Sequence, residues 1–147
     1  MKRGLFAGSF DPFTIGHESI VDESLKLFDE VIIGIGVNPK KSRLFDSEWM
    51  KEKLEKLYKD KPVRVVIYNK TTSKLAQELN VDYLIRGVRS TVDFEYERNL
   101  AEINKKVFGV ETVLLFGNMD NSYVSSTMVR ELHRCGEDYK NYIPFKN

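Results

Sequence analysis

A ten-residue segment near the N-terminus concentrates the side chains best suited to chemistry. It reads Gly-Ser-Phe-Asp-Pro-Phe-Thr-Ile-Gly-His from Gly8 to His17, after an apolar run at 4–7 and before a helical apolar pattern. In α/β proteins, a strand, a glycine-containing loop and a helix in this order present backbone N–H groups and a helix N-terminus to a phosphate. A helix-capping turn with an incidental histidine is the simpler alternative. The length of the pattern favours a phosphate-binding loop that delivers His17 to the first turn of the helix.

Basic side chains follow two other predicted strands. The segment 38–41 reads Asn-Pro-Lys-Lys. Loop lysines are usually solvated charge, but beside a phosphate-binding loop Lys41 becomes a candidate anion ligand. The segment 86–89 reads Arg-Gly-Val-Arg. A surface turn with salt bridges would explain it, yet the planar fork of arginine also binds phosphate oxygens bidentately, and glycine lets a ligand approach the backbone.

A hydroxyl-rich segment at 121–127 precedes the last predicted helix, and Arg130 follows one turn later. Hydroxyl groups at a helix start commonly cap the helix and do nothing else. Three in a row, after a strand and before an arginine, also suit a second anion site at a helix N-terminus. We weigh capping and phosphate binding equally here, because one residue can do both.

The sequence favours no metal site built from protein ligands. His133 and Cys135 resemble a metal-binding pair, but no third or fourth ligand lies nearby in the sequence. Asp93, Glu95 and Glu97 are acidic, yet Glu95 points away from the other two at helical spacing. We interpret Asp93 as a helix cap, and we keep Glu97 as a site candidate only because of the family resemblance described below.

Apolar strands alternate with amphipathic helices along the whole chain, which predicts an α/β, Rossmann-like, doubly wound sheet of five parallel strands in a single domain, 1–147. The predicted strands are 3–7, 31–37, 63–68, 83–85 and 112–116, and the predicted helices are 17–28, 47–58, 73–79, 91–108 and 126–134. Right-handed crossovers bring every strand's carboxyl end to one edge of the sheet. The polar loops follow those ends, so we expect one site there.

The predicted helix 91–108 carries an apolar stripe at helical spacing, formed by Tyr96, Leu100, Ile103 and Val107. Ser90 with Asp93 predicts its start, and Gly109 predicts its end. Phe94 and Phe108 lie off the stripe. These rings exceed what one core-facing stripe needs, so we expect the helix to contribute to a subunit interface.

Composition narrows the class of protein. The 147 residues carry a net charge of +1, which argues against a general nucleic-acid binder, and the single cysteine cannot form an internal disulfide. No apolar run approaches the roughly 18 residues of a membrane helix, and the N-terminus does not resemble a signal peptide. We expect a cytoplasmic protein that binds neither nucleic acid nor membrane.

The order of the motifs closely resembles that of the phosphopantetheine adenylyltransferase family over essentially the whole chain. The sequence at 8–17 resembles the nucleotidyltransferase signature, and Arg-Gly-Val-Arg at 86–89, Asp-Phe-Glu-Tyr-Glu at 93–97 and Val-Ser-Ser-Thr at 124–127 follow in family order. The resemblance implies transfer of AMP from ATP to 4′-phosphopantetheine. The products would be dephospho-coenzyme A and pyrophosphate, in the penultimate step of coenzyme A synthesis.

The resemblance also implies roles position by position. His17 would be the catalytic residue, contacting the α-phosphate and stabilising the transition state. The residues implied for the phosphopantetheine substrate are Ser9, Lys41, Thr72 and Arg86. Those implied for ATP are Ser9, Phe10, His17, Gly87, Val88, Arg89, Glu97, Asn121, Ser122, Tyr123, Val124, Ser125, Ser126 and Thr127. Mg²⁺ is the expected cofactor, coenzyme A the expected feedback inhibitor, and a homohexamer the expected assembly.

The chain departs from the family pattern at several positions. Thr71 and Thr72 replace an apolar pair, Thr127 replaces a third serine, and Asn121 stands where an aromatic residue is frequent. We also expect the usual C-terminal helix to be absent or much reduced. Two other functions remain open: a related adenylyl- or cytidylyltransferase that acts on nicotinate mononucleotide or an alcohol phosphate, and a nucleotide-sensing module without catalysis.

Overall fold

A computed structural model describes residues 1–145 of the chain. Its strands are β1 (Arg3–Gly8), β2 (Glu30–Gly36), β3 (Val63–Tyr68), β4 (Tyr83–Val88) and β5 (Glu111–Phe116). Its helices are α1 (Ile15–Leu25), α2 (Ser47–Leu57), α3 (Thr72–Glu78), α4 (Thr91–Phe108) and α5 (Ser126–Arg134), with short 3₁₀ turns at Met119–Asn121 and Lys140–Tyr142. Strands and helices alternate as the sequence predicted.

The five strands form one parallel sheet in the order β3-β2-β1-β4-β5. This confirms the predicted Rossmann-like fold class. The chain first adds strands on one side of β1 and then on the other. The order therefore reverses between β1 and β4, and in doubly wound sheets ligands bind at the carboxyl ends of the strands beside such a reversal.

Both faces of the sheet are covered by apolar side chains, because successive strand residues point to opposite faces. Leu5 packs on one face with β2, β4 and α3, whereas Phe6 packs on the other with α1, α2 and α5. On that second face, residues near the C-terminus also reach the core through Ile143 and Phe145, which are buried. Among residues 1–145, no helix has the length and apolar character needed to cross a membrane.

Two element boundaries differ from the prediction in ways that concern the site. The first helix begins at Ile15, because Thr14 caps it and its hydroxyl accepts the N–H of His17. The fourth strand was predicted to end at Ile85 but continues to Val88. Arg86 and Gly87 therefore pair with Leu114 and Leu115 in the sheet, which fixes their backbone more firmly than a loop would.

The predicted orientation of the fourth helix was wrong. Ser90 and Gly109 bound α4 as predicted, with Gly109 at φ 72°. However, Tyr96, Ile103 and Val107 of the apolar stripe are 62%, 52% and 67% exposed. Polar contacts hold an adjacent side of the helix instead: Glu97 is its buried residue, and Asn104 accepts a hydrogen bond from Ser73. The stripe is left as an apolar surface of the chain.

Candidate active site

A cavity of about 410 Å³ opens at the carboxyl edge of the sheet, between the ends of β1 and β4. It is lined by the β1–α1 loop, the start of α1, the end of β4, the first turns of α4, and most residues of the segment 117–127. Of the residues predicted to bind ATP, those that line it are Ser9, Phe10, His17, Gly87, Val88, Arg89, Glu97, Asn121, Ser122, Val124, Ser125, Ser126 and Thr127. The reversal point thus brings together residues from three distant parts of the sequence.

A second cavity, of about 500 Å³, adjoins the first at the ends of β1, β2 and β3. Of the residues predicted to bind the acceptor substrate, Ser9, Thr72 and Arg86 line it. Ser9 and Arg86 also line the first cavity. Two ligands that occupied the two cavities would therefore meet beside these side chains.

His17 is oriented by a reciprocal cap at the start of α1. Thr14 N–H donates to His17 Nδ1 over 2.9 Å, while Thr14 Oγ1 accepts the backbone N–H of His17. A ring nitrogen that accepts a hydrogen bond carries no proton, so a neutral His17 must hold its proton on Nε2. The cap therefore leaves Nε2–H as the group that can donate to a ligand.

The surroundings of His17 keep its ring neutral. Burial lowers the pKa of His17 to about 3, with smaller contributions from the positive charges of Arg89 and Arg86. The ring packs against Phe6, Phe10 and Phe13, with centroid distances of 6.1, 5.0 and 5.3 Å. At neutral pH the His17 ring is therefore an uncharged hydrogen-bond donor in a fixed position, and it does not act as a cationic general acid.

Arg86 is held by partners on two sides. Nε and Nη2 donate to the two carboxylate oxygens of Glu97 over 2.6 and 2.9 Å, and Nη1 donates to the Ala7 carbonyl over 2.7 Å. Burial lowers the pKa of Arg86, but hydrogen bonding to Glu97 and the negative charge of Glu97 outweigh this effect and raise the pKa above its ordinary value. The guanidinium is thus a fixed cation at the boundary of the two cavities, and Glu97 orients it.

Arg89 is tied to α4 and to the segment before α5. Its Nε donates to Asp93 Oδ2 over 3.0 Å, and Nη1 donates to the Val124 carbonyl over 3.2 Å. Asp93 also has its backbone N–H capped by Ser90, as predicted. Arg89 is the less buried of the two arginines, which leaves its charge accessible from the first cavity.

The three hydroxyl groups at 125–127 make different hydrogen bonds. Ser125 caps α5 by accepting the N–H of Met128, and Ser126 Oγ donates to the Pro12 carbonyl. Thr127 Oγ1 accepts from Arg130. All three also line the first cavity, so each of these residues can both support the local structure and face a ligand.

Three predicted residues do not line either cavity. Lys41 lies in an exposed turn, and its N–H donates to the carbonyl of Asn38, a residue of the second cavity. Tyr123 is 61% exposed, and its ring meets Tyr142 edge-on. Arg130 donates to the Asp11 carbonyl over 2.8 Å and thereby supports the β1–α1 loop from outside the cavity.

The sequence reasoning missed contacts that shape the site. Ser19 lines the first cavity and accepts the N–H of Asn118 over 3.1 Å, joining α1 to the segment after β5. Arg43 donates to carbonyls of the β1–α1 loop. Ser19 could have been found from its position one turn into α1. Arg43 had no local signal, because its partners lie 33 and 34 residues away.

Within residues 1–145 no group of three or more His, Cys, Asp or Glu side chains is arranged to hold a metal ion. The two carboxylates that line the first cavity, Asp93 and Glu97, are each engaged by an arginine. Mg²⁺ commonly binds through substrate phosphates and water, with few protein ligands. This cavity suits an ion of that kind, arriving with a nucleotide.

The model of the cytidylyltransferase-like family matches residues 5–132. A Bacteroides thetaiotaomicron protein named phosphopantetheine adenylyltransferase is 45% identical over 145 residues, covering 98% of this chain and 96% of that protein. A Porphyromonas gingivalis protein of the same name is 47% identical over 147 residues, with 98% and 96% covered.

Solved structures share the fold at lower identity. A lipopolysaccharide core biosynthesis protein from Thermoplasma volcanium has a TM-score of 0.59 at 22% identity, over 80% of this chain and 97% of that one. A bifunctional NMN adenylyltransferase/ADP ribose pyrophosphatase from Francisella tularensis has a TM-score of 0.64 at 18% identity, over 97% of this chain and 44% of that one. The family match and the full-length relatives lead to one assignment. This chain belongs to the cytidylyltransferase-like family, among its phosphopantetheine adenylyltransferases.

Proposed function

We propose that residues 1–147 act as one adenylyltransferase domain that transfers AMP from ATP to 4′-phosphopantetheine. A phosphate oxygen of the acceptor forms a bond to the α-phosphorus of ATP. The bond from that phosphorus to the bridging oxygen breaks, and its electron pair leaves with pyrophosphate. The observation that carries the proposal is the pair of adjoining cavities that share Ser9 and Arg86 beside His17. Such a pair suits two phosphorylated substrates that must react with each other.

The proposed reaction needs no protein nucleophile and no strong base, because the attacking phosphate oxygen is already ionised at neutral pH. Alignment of the two substrates and neutralisation of charge at phosphorus must supply the catalysis. The neutral ring of His17 suits this task. We propose that its Nε2–H donates to a non-bridging oxygen of the α-phosphate, where negative charge grows in the transition state.

The two substrates are assigned by the groups that line each cavity. We place ATP in the first cavity and the phosphopantetheine arm in the second, with the acceptor phosphate near Ser9 and Arg86. Lys41 reaches the acceptor phosphate from its exposed turn. Tyr123, being exposed, borders the nucleotide only through the backbone of its segment. In the second cavity Thr72 Oγ1 and Tyr68 Oη lie 2.9 Å apart, which gives the arm polar neighbours in place of the apolar pair of the family pattern.

Mg²⁺ belongs to this proposal as an ion that the ATP phosphates would carry into the first cavity, whose lining includes Asp93. When bound, it neutralises charge on the triphosphate and on the departing pyrophosphate. Coenzyme A, which contains the product's adenylated pantetheine, is the proposed feedback inhibitor. A homohexamer and a cytoplasmic location complete the proposal.

A pyrophosphate-release assay with a panel of acceptors tests the function. ATP with 4′-phosphopantetheine should release pyrophosphate, whereas ATP with nicotinate mononucleotide or an alcohol phosphate should not. Release with one of those other acceptors would reassign the substrate within the family. Binding of ATP without release for any acceptor would favour a nucleotide sensor.

A further inference from the structure

Two loops at the carboxyl edge of the sheet are joined by the side chain of Arg43. Its Nη1 donates to the Ser9 carbonyl over 2.7 Å, and its Nη2 donates to the Phe10 carbonyl over 3.1 Å. The same guanidinium is anchored in its own loop, since Nε donates to the Phe45 carbonyl over 2.8 Å. Arg43, in the loop that follows β2, is thus hydrogen-bonded to the backbone of the proposed phosphate-binding loop.

Asp11 makes the reciprocal connection from the other loop. It is buried, and its carboxylate accepts the N–H groups of Phe45 and Leu44 over 2.7 and 3.0 Å. Four hydrogen bonds between two loops therefore run in both directions. A bidirectional clamp of this kind fixes the relative position of the loops better than a single contact does.

The backbone that Arg43 holds is in an unusual conformation. Phe10 has φ 45°, in the left-handed region that residues with a side chain rarely adopt. Such a conformation persists only where neighbouring contacts enforce it. The ring of Phe10 is buried and meets the His17 ring edge-on at a centroid distance of 5.0 Å. The position of Phe10 therefore affects the position of His17.

Arg43 also decides which groups of the loop can face a phosphate. In a trans peptide the C=O and the following N–H point in opposite directions. With the carbonyls of Ser9 and Phe10 drawn to Arg43, the N–H groups of Phe10 and Asp11 point away from it. The partly negative carbonyl oxygens are thereby kept on the guanidinium and off an incoming anion.

We propose that Arg43 is a positioning residue for adenylyl transfer: it fixes the Ser9–Phe10 backbone and, through the ring of Phe10, the alignment of His17. This inference rests on the proposed function for its kinetic effect. Arg43 is not among the described residues that line either cavity, so we expect it to contact neither substrate. Its contribution should therefore fall on turnover more than on ATP affinity.

The test compares Arg43→Met, Arg43→Lys and a control, Arg64→Met, with the wild-type chain. Arg64 lies on β3 in an ion pair with Glu30 and does not line either cavity. Arg43→Met should lower kcat about 10- to 100-fold, in line with the cost of small misalignments, while the KM for ATP changes about threefold or less. Arg43→Lys keeps a positive charge that can bind one carbonyl, so its kcat should lie between those of wild type and Arg43→Met. Arg64→Met should match wild type.

A second readout does not depend on turnover. The ring signals of His17, observed by NMR in the free protein, should shift in Arg43→Met and not in Arg64→Met. Unchanged His17 signals, or a kcat within about twofold of wild type in a folded Arg43→Met, would overturn the inference. If Arg43→Met fails to fold, Arg43→Lys carries the same two readouts. A wild-type chain without pyrophosphate release would count against the proposed function instead, and the NMR comparison would still decide the role of Arg43.

Discussion

His17 has two separable tasks at the scale of the single residue. Its Nδ1 closes the cap of α1 with Thr14, and its Nε2–H is the proposed donor to the α-phosphate. Glutamine at the third helical position makes the same return bond to the N-cap backbone. Substitution by glutamine and by alanine should therefore distinguish the structural task from the catalytic one.

We expect His17→Ala to lower kcat by about 100- to 1,000-fold, since a donor aimed at transition-state charge contributes to rate more than to ground-state binding. ATP affinity should stay within a few-fold. His17→Gln should lose turnover to a similar degree but keep a melting temperature closer to wild type than His17→Ala does. Steady-state kinetics and thermal unfolding measure both. A variant that retained more than about a tenth of wild-type kcat would contradict the assigned role.

The depressed pKa of His17 also predicts how stability depends on pH. The folded chain keeps the ring neutral down to about pH 3, whereas the unfolded chain takes up a proton near the ordinary value of 6.5. Between these values the unfolded state binds more protons, so the free energy of unfolding contributed by this residue rises with pH. Urea unfolding of wild type should lose more stability than His17→Gln between about pH 7 and pH 5. Parallel losses in both proteins would place the pKa of His17 elsewhere.

The basic residues near the second cavity should affect the acceptor more than ATP. Lys41→Ala removes a cation from the proposed acceptor phosphate, and a charge-assisted contact is worth roughly 1.5–3 kcal/mol. Arg86→Lys should also weaken acceptor binding, because a point charge cannot replace the fork that Glu97 orients. Isothermal titration calorimetry with each substrate measures how much affinity each variant loses for the acceptor and for ATP. Arg86→Ala is the poorer probe, because it would leave the buried Glu97 carboxylate unpaired. Equal losses for both substrates would contradict the assignment.

Among the elements, the loop that leads into α1 and the two ends of α4 were predictable because their signals are local. A glycine-bearing loop before an apolar helical pattern placed His17, and Ser90 and Gly109 placed the ends of α4. The face of α4 was not predictable from its period. A stripe of apolar residues has the same spacing whether it packs on the sheet or on another surface. In the structure, the side of α4 that contacts the rest of the chain is held by hydrogen bonds of Glu97 and Asn104. The Arg43 clamp depends on tertiary contacts that leave no periodic trace.

At the scale of the whole molecule, we expect the exposed apolar stripe on α4 to form part of a subunit interface in the proposed hexamer. We expect light scattering at micromolar concentration to give about six times the subunit mass of 17.1 kDa. Val107→Asp should yield smaller species, because Val107 is 67% exposed in the single chain and a buried charge at an interface is costly. Lys106→Asp is a matched control, since Lys106 is itself a charged, exposed residue of α4. A fully active monomer in the wild type would contradict the hexamer.

Trp49 is the single tryptophan of the chain, and its surroundings make it an optical reporter of the loop clamp. The ring stacks on Phe45 at a centroid distance of 6.0 Å and meets Phe145 edge-on at 5.8 Å. The Phe45 carbonyl accepts a hydrogen bond from Arg43, and the Phe45 N–H donates to Asp11. Phe45 therefore connects the tryptophan ring directly to the β1–α1 loop. Its emission therefore offers a label-free signal, within the natural sequence, for ligand-induced movement at the carboxyl edge of the sheet.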